Sequence, residues 1–366
     1  MRFLLSLALM ASLFAAGQSS VAGDTQITPC GSTSIAAPNG LIAIVPNRSF
    51  ADERSFLSAL NNPNIRGVAL QIDWDELDPG QGQPEWSTLD ARFSAAESSG
   101  KWLELDVFPG FFSPAWALQG VQSEPFAIPY GPHRGTVKLL PLPWDGTYLG
   151  RWYAFLRAVR DRYEKSPAFR MIAVAGPTSV SEEMTLPQNP QDIKKWRTLE
   201  YNPSRYIAAW QDAFREYAAD FPNQCLALSV GTGLDINDRG KIDRSEGART
   251  REVIITQAMA VAGDRFVLQN SDLHAGPGLH EPTAFVMHWI GRSMTGLEMR
   301  CPAVLGDCSE ALGAAGDAPL ALRKSIQLGM EPNAAGQHVN YLEIYEADVI
   351  APQVQPVLRY GSSLWR

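Results

Sequence analysis

Short apolar runs alternate with longer amphipathic runs along most of this 366-residue chain. Apolar runs of about four to eight residues are typical of buried strands, whereas apolar residues three or four positions apart are typical of a helix with one packed face. Strands are predicted at 41–45, 68–74, 102–108, 171–175, 225–230, 265–269, 303–305 and 339–345, and helices at 50–60, 86–99, 148–163, 204–221, 252–262, 282–290 and 319–330. This alternation predicts an α/β protein with a (β/α)8 (TIM) barrel.

A doubly wound open sheet is the competing fold class. Such sheets usually carry a G-x-G-x-x-G turn after the first strand, whereas this chain has VPNRS at 45–49. The segments that follow the third and fourth predicted strands are long, which predicts long loops on the C-terminal face of the barrel. We therefore expect residues 23–366 to form a single barrel domain.

The first 22 residues have the pattern of a signal peptide. Arg2 is followed by the apolar run 3–16 and by the small-x-small sequence Ser20-Val21-Ala22. The apolar run is too short to span a bilayer comfortably. The sequence therefore predicts export to the periplasm or the medium, with no stable membrane insertion after cleavage.

The composition and motifs of the chain argue against several kinds of partner. The formal net charge is −8 and the chain has no basic run, which argues against a nucleic-acid partner. The four cysteines could form disulfides in an oxidising compartment, in any of three pairings. Neither C-x-x-C nor H-E-x-x-H occurs, so no metal site is expected, and no cofactor motif is present.

Carboxylates follow two of the predicted strands. Glu182 and Glu183 come after the fourth, and Asp307 and Glu310 come after the seventh. Because the carboxyl ends of barrel strands meet on one face, these groups can face each other, which is the arrangement that glycoside hydrolysis requires. Adjacent side chains of an extended segment point opposite ways, so one of the first pair faces the barrel axis. We favour Glu183 and Glu310 as the reacting pair, with Glu182 and Asp307 as the alternatives.

Two segments carry a family resemblance. RGVALQIDWDELDPGQGQPEWSTLD at 66–90 and VFPGFFSPAWAL at 107–118 resemble retaining glycoside hydrolases of the (β/α)8-barrel clan A, in particular the catalytic domains of β-galactosidases. The resemblance implies double displacement, with Glu183 as the acid/base after the fourth strand and Glu310 as the nucleophile after the seventh. The family's Asn-Glu pair after the fourth strand is replaced here by Ser181-Glu182.

Several further residues are candidates for contact with an oligo- or polysaccharide. Aromatic rings stack on the apolar faces of sugars, and one group of aromatic residues follows the second and third predicted strands: Trp74, Phe111, Phe112, Trp116, Tyr130 and Trp144. Asp73 is expected at the barrel mouth, and Glu346 is placed to bind a sugar hydroxyl. Because the Asn is missing before Glu182, a non-catalytic saccharide-binding barrel is the alternative function.

Overall fold

The computed structural model describes residues 29–32, 38–80, 82–131, 133–276, 281–305 and 308–365. The predicted signal peptide and Asp307 lie outside these residues. The strands are β1 Gly40–Val45, β2 Gly67–Asp73, β3 Trp102–Phe108, β4 Ser123–Ala127, β5 Val137–Pro141, β6 Phe169–Ala173, β7 Cys225–Ser229, β8 Phe266–Leu273, β9 Met294–Met299 and β10 Tyr341–Tyr345. Eight of them close into a parallel barrel in the order β1-β10-β9-β8-β7-β6-β3-β2. The predicted (β/α)8 barrel is confirmed.

Helices follow the barrel strands. They are α1 Asn47–Phe50, α2 Glu53–Leu60, α3 Trp74–Leu77, α4 Ser87–Ser99, α5 Gly146–Tyr163, α6 Pro190–Thr198, α7 Pro203–Asp220, α8 Glu246–Ala262, α9 Glu281–His288, α10 Cys308–Ala311, α11 Ala318–Gly329, α12 Glu346–Ile350 and α13 Gln355–Ser363. Several begin at residues that satisfy the free amides of the first turn. Asp145, for example, accepts a hydrogen bond from the Tyr148 amide at 2.8 Å. None of the helices in the described part of the chain has both the length and the apolarity needed to cross a bilayer.

One predicted strand is wrong. The seventh barrel strand is β9, which ends before the predicted 303–305, and those residues form turns and irregular structure instead. β9 was not predicted because its sequence, MTGLEM, is not a continuous apolar run. Gly296 lies in its middle, where an added Cβ would stand 2.0 Å from the Tyr341 ring. The glycine therefore lets Tyr341 fill the barrel.

The barrel interior has two layers of different chemistry. Near the amino ends of the strands lies a small apolar cluster that includes Ile42, Ala69, Met171, Val267 and Tyr341. Polar side chains from five strands are buried further along the strands: Gln71, Glu104, Asp106, Gln269, Glu298 and Glu343. Buried carboxyls cost free energy unless they are paired or protonated, so this second layer marks the functional end of the barrel.

The segments after β3 and β6 pack against each other. Gly110 has a φ of +65°, and an added Cβ there would lie 2.3 Å from the Ser179 carbonyl oxygen. The Phe111 amide donates to that same oxygen at 2.8 Å. A glycine is therefore required where the two loops meet, and this contact fixes the loop that carries Glu182 and Glu183.

All four cysteines are paired. Cys30 is bonded to Cys225, 195 positions away, and Cys301 is bonded to Cys308. The second pair lies only seven positions apart, so the chain bends between its members. Cys30 and Cys225 both belong to the apolar cluster inside the barrel, so this bond ties the segment before β1 to the first residue of β7.

Loss of the Cys30–Cys225 bond is expected to destabilise the protein strongly. The bond closes a long loop, and a cross-link of this kind removes more entropy from the unfolded chain than one that closes a short loop. Replacing both cysteines by serine should lower the free energy of unfolding by about 2–5 kcal/mol. Guanidinium unfolding measures the change, with the Cys301→Ser, Cys308→Ser double variant as control. A larger loss in that control would contradict the expectation.

Candidate active site

A cavity of about 760 Å³ opens at the carboxyl end of the barrel, and most barrel strands, or the segments that follow them, contribute to its lining. The volume lies within the range of small-molecule sites. The polar and charged lining residues include Asn47, Arg48, Gln71, Tyr130, His133, Glu182, Glu183, Asn270, Ser271, Asp272, Glu298, Arg300 and Tyr345. The cavity therefore offers several carboxyls together with many hydroxyl, amide and guanidinium groups.

Glu182 and Glu183 both line this cavity, but their surroundings differ. Glu182 is only 2% exposed, and its Oε1 accepts a hydrogen bond from the Ser271 hydroxyl at 3.3 Å. Burial, followed by the nearby charge of Glu183, raises its pKa to about 8. Glu343 also contributes to the rise, which places Glu182 on the side of the barrel interior.

Glu183 lies closer to the cavity wall. Its Oε2 accepts a hydrogen bond from the Tyr130 hydroxyl at 2.7 Å. Burial raises the pKa of Glu183, and hydrogen bonds from Tyr130 and Ser271 oppose the rise. Asp272 is the carboxylate whose charge acts on it. Glu183 thus faces β8 and the loop between β4 and β5, which carries Tyr130, whereas Glu182 faces the buried carboxyls.

Glu298 is the cavity carboxyl that the sequence prediction missed. It lies near the carboxyl end of β9, is 3% exposed, and accepts a hydrogen bond from the Tyr345 hydroxyl at 2.9 Å. The Gln71 amide stands 3.5 Å from the same oxygen. Burial raises the pKa of Glu298, as do the charges of Glu343 and Glu182, while the Tyr345 hydrogen bond opposes the rise. Glu298 and Glu182 are therefore electrostatically coupled across one cavity.

The structure places the predicted nucleophile elsewhere. Glu310 is exposed on the short helix α10 and does not line the cavity, and Asp307 is outside the described residues. The prediction failed because the seventh strand was placed too late, so the carboxyl that follows it was also chosen too late. The alternation of Leu297, Glu298 and Met299 in β9 was the sequence signal that could have identified Glu298.

The three tryptophans among the predicted sugar-binding residues pack elsewhere in the protein. Trp74 is fully buried, with its ring centroid 5.0 Å from that of Trp152, and Trp116 packs edge-on against it. Trp144 packs against Trp196 and Tyr201 outside the cavity. None of the three predicted tryptophans lines the cavity. The aromatic residues that do so are Phe108, Phe112, Tyr130 and Tyr345, of which Phe112 and Tyr130 were among those singled out from the sequence.

Truncation of Trp74 is therefore expected to act on stability. Trp74→Ala should lower the free energy of unfolding by about 3–5 kcal/mol, because it opens a large cavity in a packed aromatic cluster. Saccharide binding by the folded fraction should be unchanged. Denaturant unfolding and calorimetric titration test the two parts, with the exposed Leu139→Ala as control. Weaker saccharide binding with normal stability would instead indicate that Trp74 contributes to the binding site.

Asp73 and Glu346 lie behind the cavity wall. Asp73 accepts a hydrogen bond from the Asn47 side chain at 2.9 Å, and Glu346 accepts one from the Ser49 hydroxyl at 2.7 Å. Burial raises the pKa of Asp73 to about 6. Neither carboxyl lines the cavity, but both hold α1, whose Asn47 and Arg48 do. Their observed contacts brace the loop after β1 and do not place them against a sugar.

The chain matches no protein-family model and no curated protein sequence. Solved structures share its fold at low identity. A β-galactosidase from Rahnella sp. R3 aligns with a TM-score of 0.56 and 9% identity over 92% of this chain and 57% of its own. A GH5_18 protein from Bifidobacterium longum subsp. longum ATCC 55813 aligns with a TM-score of 0.53 and 13% identity, over 89% and 79%.

A third neighbour is xylanase 10B from Thermotoga petrophila RKU-1, in complex with xylobiose. It aligns with a TM-score of 0.50 and 12% identity, over 84% of this chain and 82% of its own. The chain thus spans little more than half the length of the Rahnella galactosidase but most of the other two. The resemblance to clan A glycoside hydrolases is confirmed at the level of the barrel fold.

Proposed function

We propose that the protein is an exported glycoside hydrolase that cleaves a glycosidic bond with retention of configuration, with Glu182 as acid/base and Glu298 as nucleophile. One observation carries this proposal. Two buried carboxyls, from the loop after the fourth barrel strand and from the seventh barrel strand, line one cavity at the carboxyl end of the barrel. Barrel neighbours that are β-galactosidases and a xylanase support a saccharide substrate.

Burial raises the pKa of both carboxyls, so the site does not readily hold both of them in the ionised form. Glu298 accepts a hydrogen bond from Tyr345 at 2.9 Å, which stabilises its ionised form. Glu182 accepts a longer bond from the Ser271 hydroxyl, and its buried Oε2 has no hydrogen-bond donor among the described residues. A protonated Glu182 beside an ionised Glu298 avoids two charges in one buried site. The raised pKa of Glu182, about 8, supports a proton on this residue at neutral pH.

The reaction would follow two displacements. In the first, Glu182 gives its proton to the glycosidic oxygen as that oxygen leaves, and a Glu298 oxygen bonds to the anomeric carbon. In the second, the Glu182 carboxylate takes a proton from water, the water oxygen bonds to the anomeric carbon, and the ester to Glu298 breaks. Arg48, Asn47 and Asn270 line the cavity as candidate partners for sugar hydroxyls.

Glu183 is given a supporting role in place of the acid/base role that the sequence favoured. Its hydrogen bond from Tyr130 ties the loop after β6 to the hairpin loop between β4 and β5. Its charge also raises the pKa of Glu182, which helps the acid to keep its proton. We therefore expect Glu183 to affect the shape and charge of the cavity without transferring the proton itself.

Export is part of the proposal. Two disulfides in the described residues fit an oxidising compartment, since such bonds are rare in the cytosol. The signal-peptide pattern of residues 1–22 supports the same location. Mass spectrometry of the protein from the medium or the periplasm should find a mature chain that begins near Gly23, with no free thiols.

A substrate screen tests the activity. The purified mature protein is incubated with aryl glycosides of the common sugars and with plant and microbial polysaccharides, and NMR gives the anomeric configuration of the first product. The Glu182→Gln, Glu298→Gln double variant, purified identically, controls for contaminating activity. A first product of retained configuration is expected. An inverted product would contradict the nucleophile, and saccharide binding without any hydrolysis would favour the non-catalytic barrel.

A further inference from the structure

Three buried carboxyls lie inside the barrel, beneath the cavity. Glu104 and Asp106 come from β3 and Glu343 comes from β10, and all three are at most 2% exposed. We call these three residues the buried carboxyl layer. None of them lines the cavity, and the reaction proposed above does not use them. Three carboxyls in such a position require an explanation, because burying even one charge is costly.

Within the described ranges, no buried basic side chain pairs with the layer. Among the described residues, the buried arginines are Arg92, which donates to the Phe50 carbonyl, and Arg251, which pairs with Glu281, and no lysine is buried. No cluster of three or more acidic, histidine or cysteine side chains in the described ranges is arranged to hold a metal ion. The remaining way to remove the charge is protonation.

The contacts inside the layer indicate which carboxyl carries a proton. No amide, amine or hydroxyl of the described residues donates to either oxygen of Glu104. Its carboxyl group instead lies within hydrogen-bonding reach of the carboxyl groups of Asp106 and Glu343. Two carboxyl groups can share a hydrogen bond only when one of them carries the proton. Glu343 also accepts from the Gln269 amide at 2.9 Å, which leaves Glu104 as the protonated partner.

The layer is coupled to both proposed reacting groups. Glu182 is the carboxyl whose charge acts most strongly on Asp106, and Glu343 is the one that acts most strongly on Glu298. Strand pairing supports this arrangement, because Glu343 stands beside Glu298 in the β9–β10 register and Asp106 stands beside Gln71, whose amide reaches Glu298. Ionisation within the layer therefore opposes ionisation of Glu182.

We propose that Glu104, Asp106 and Glu343 are positioning residues beneath Glu182 and Glu298: Glu104 and Asp106 hold protons, and the charge that Glu343 gains as the pH rises keeps the proton on Glu182. The inference rests on the proposed function. The charged and titratable groups facing Glu182 and the layer come from several elements: Glu104 and Asp106 on β3, Glu183 on the same loop, Glu298 on β9, and Tyr341, Glu343 and Tyr345 on β10.

The sign of the pH dependence follows from the direction of the shifts. Burial raises the pKa of Glu104 and Asp106 well above their usual values and raises that of Glu343 to about 7. The folded state therefore binds more protons than the unfolded state above a pH of about 4.3. The stability that these groups contribute is fully present below that pH and is lost as the pH rises through about 7. Folding near neutral pH should accordingly take up protons.

Two single variants test the layer. Glu343→Gln keeps the shape and removes the charge that Glu343 gains beneath Glu182, so the basic limb of the kcat/KM profile should move to lower pH by about 1 unit, with the acidic plateau nearly kept. Glu104→Gln keeps a donor between its neighbours and should take up roughly one proton fewer on folding near neutral pH. Asp348→Asn is the matched control, because Asp348 is buried and has a raised pKa but binds the amides of Ala303 and Val304 outside the layer.

A substrate-free measurement separates this inference from the proposed function. Carbon-13 NMR follows the titration of the Glu182 carboxyl, assigned with Glu182→Gln, in the wild-type protein and in Glu343→Gln. A lower pKa of Glu182 in Glu343→Gln supports the inference, even if no saccharide is hydrolysed. An unshifted Glu182 titration overturns it. Wild-type protein that is as stable at about pH 8 as at about pH 5 also overturns it, and that measurement needs no variant.

Discussion

Glu298→Gln is expected to lower kcat by about 10⁴–10⁶-fold, because the variant keeps the shape of the side chain but cannot form the covalent intermediate. The amide oxygen of the introduced glutamine can still accept the hydrogen bond from Tyr345, so the fold should be retained. Initial rates on the best substrate from the screen, together with thermal unfolding, measure the two effects. Unchanged stability with lost turnover is the expected combination.

The product formed with azide makes this test more specific. In Glu298→Ala, azide can enter the vacated space and attack the anomeric carbon from the side of the missing carboxylate, which gives a glycosyl azide of inverted configuration. Glu310→Gln is the matched control, because Glu310 is exposed on α10. Near-normal turnover in Glu298→Gln, or a severe loss in Glu310→Gln, would return the nucleophile to the position predicted from the sequence.

Glu182→Ala is expected to lower turnover by about 10²–10⁴-fold on substrates whose leaving group needs a proton. Aryl glycosides with acidic leaving groups should be much less affected in their first step, because they leave without protonation. Azide should restore turnover of these activated substrates and give a product of retained configuration, since it attacks the glycosyl-enzyme in place of activated water.

The neighbouring residue provides the control for this experiment. Glu183→Ala keeps the buried acid and removes the acceptor of the Tyr130 hydroxyl, so it should change KM more than the dependence on the leaving group. It should also lower the pKa of Glu182, because the charge of Glu183 helps to raise it. If Glu183→Ala shows the leaving-group dependence and Glu182→Ala does not, the two roles are exchanged.

Much of the barrel could be predicted from the sequence. The runs at 41–45 and 102–108 are largely apolar because strands of a parallel barrel are buried on both faces, and they coincide with β1 and β3. The inward alternation of Glu104 with Asp106 and of Tyr341 with Glu343 was also visible, since the side-chain period of a strand is two residues. β9 escaped detection because Gly296 and Glu298 interrupt its apolar run.

The candidate site was predicted only in part. A loop with carboxylates after the fourth strand was evident, but adjacent Glu182 and Glu183 carry the same chemistry in the sequence. Only the folded chain separates them, because the buried carboxyl layer lies beside the first while Tyr130 and Asp272 lie beside the second. The tryptophans were assigned to the cavity because they follow the second and third strands, although Trp74 packs against Trp152 in the core.

The sequence by itself determined the fold class, because strand and helix periodicities are local properties that neighbouring residues impose on the chain. The tertiary structure alone decided which carboxyls meet. Glu298 and Glu182 are 116 positions apart, and Glu104 lies 239 positions before Glu343. Only the closure of the barrel therefore brings these carboxyls close enough to interact electrostatically. A carboxyl's proton affinity depends on burial and on neighbouring charges, and both exist only after that closure.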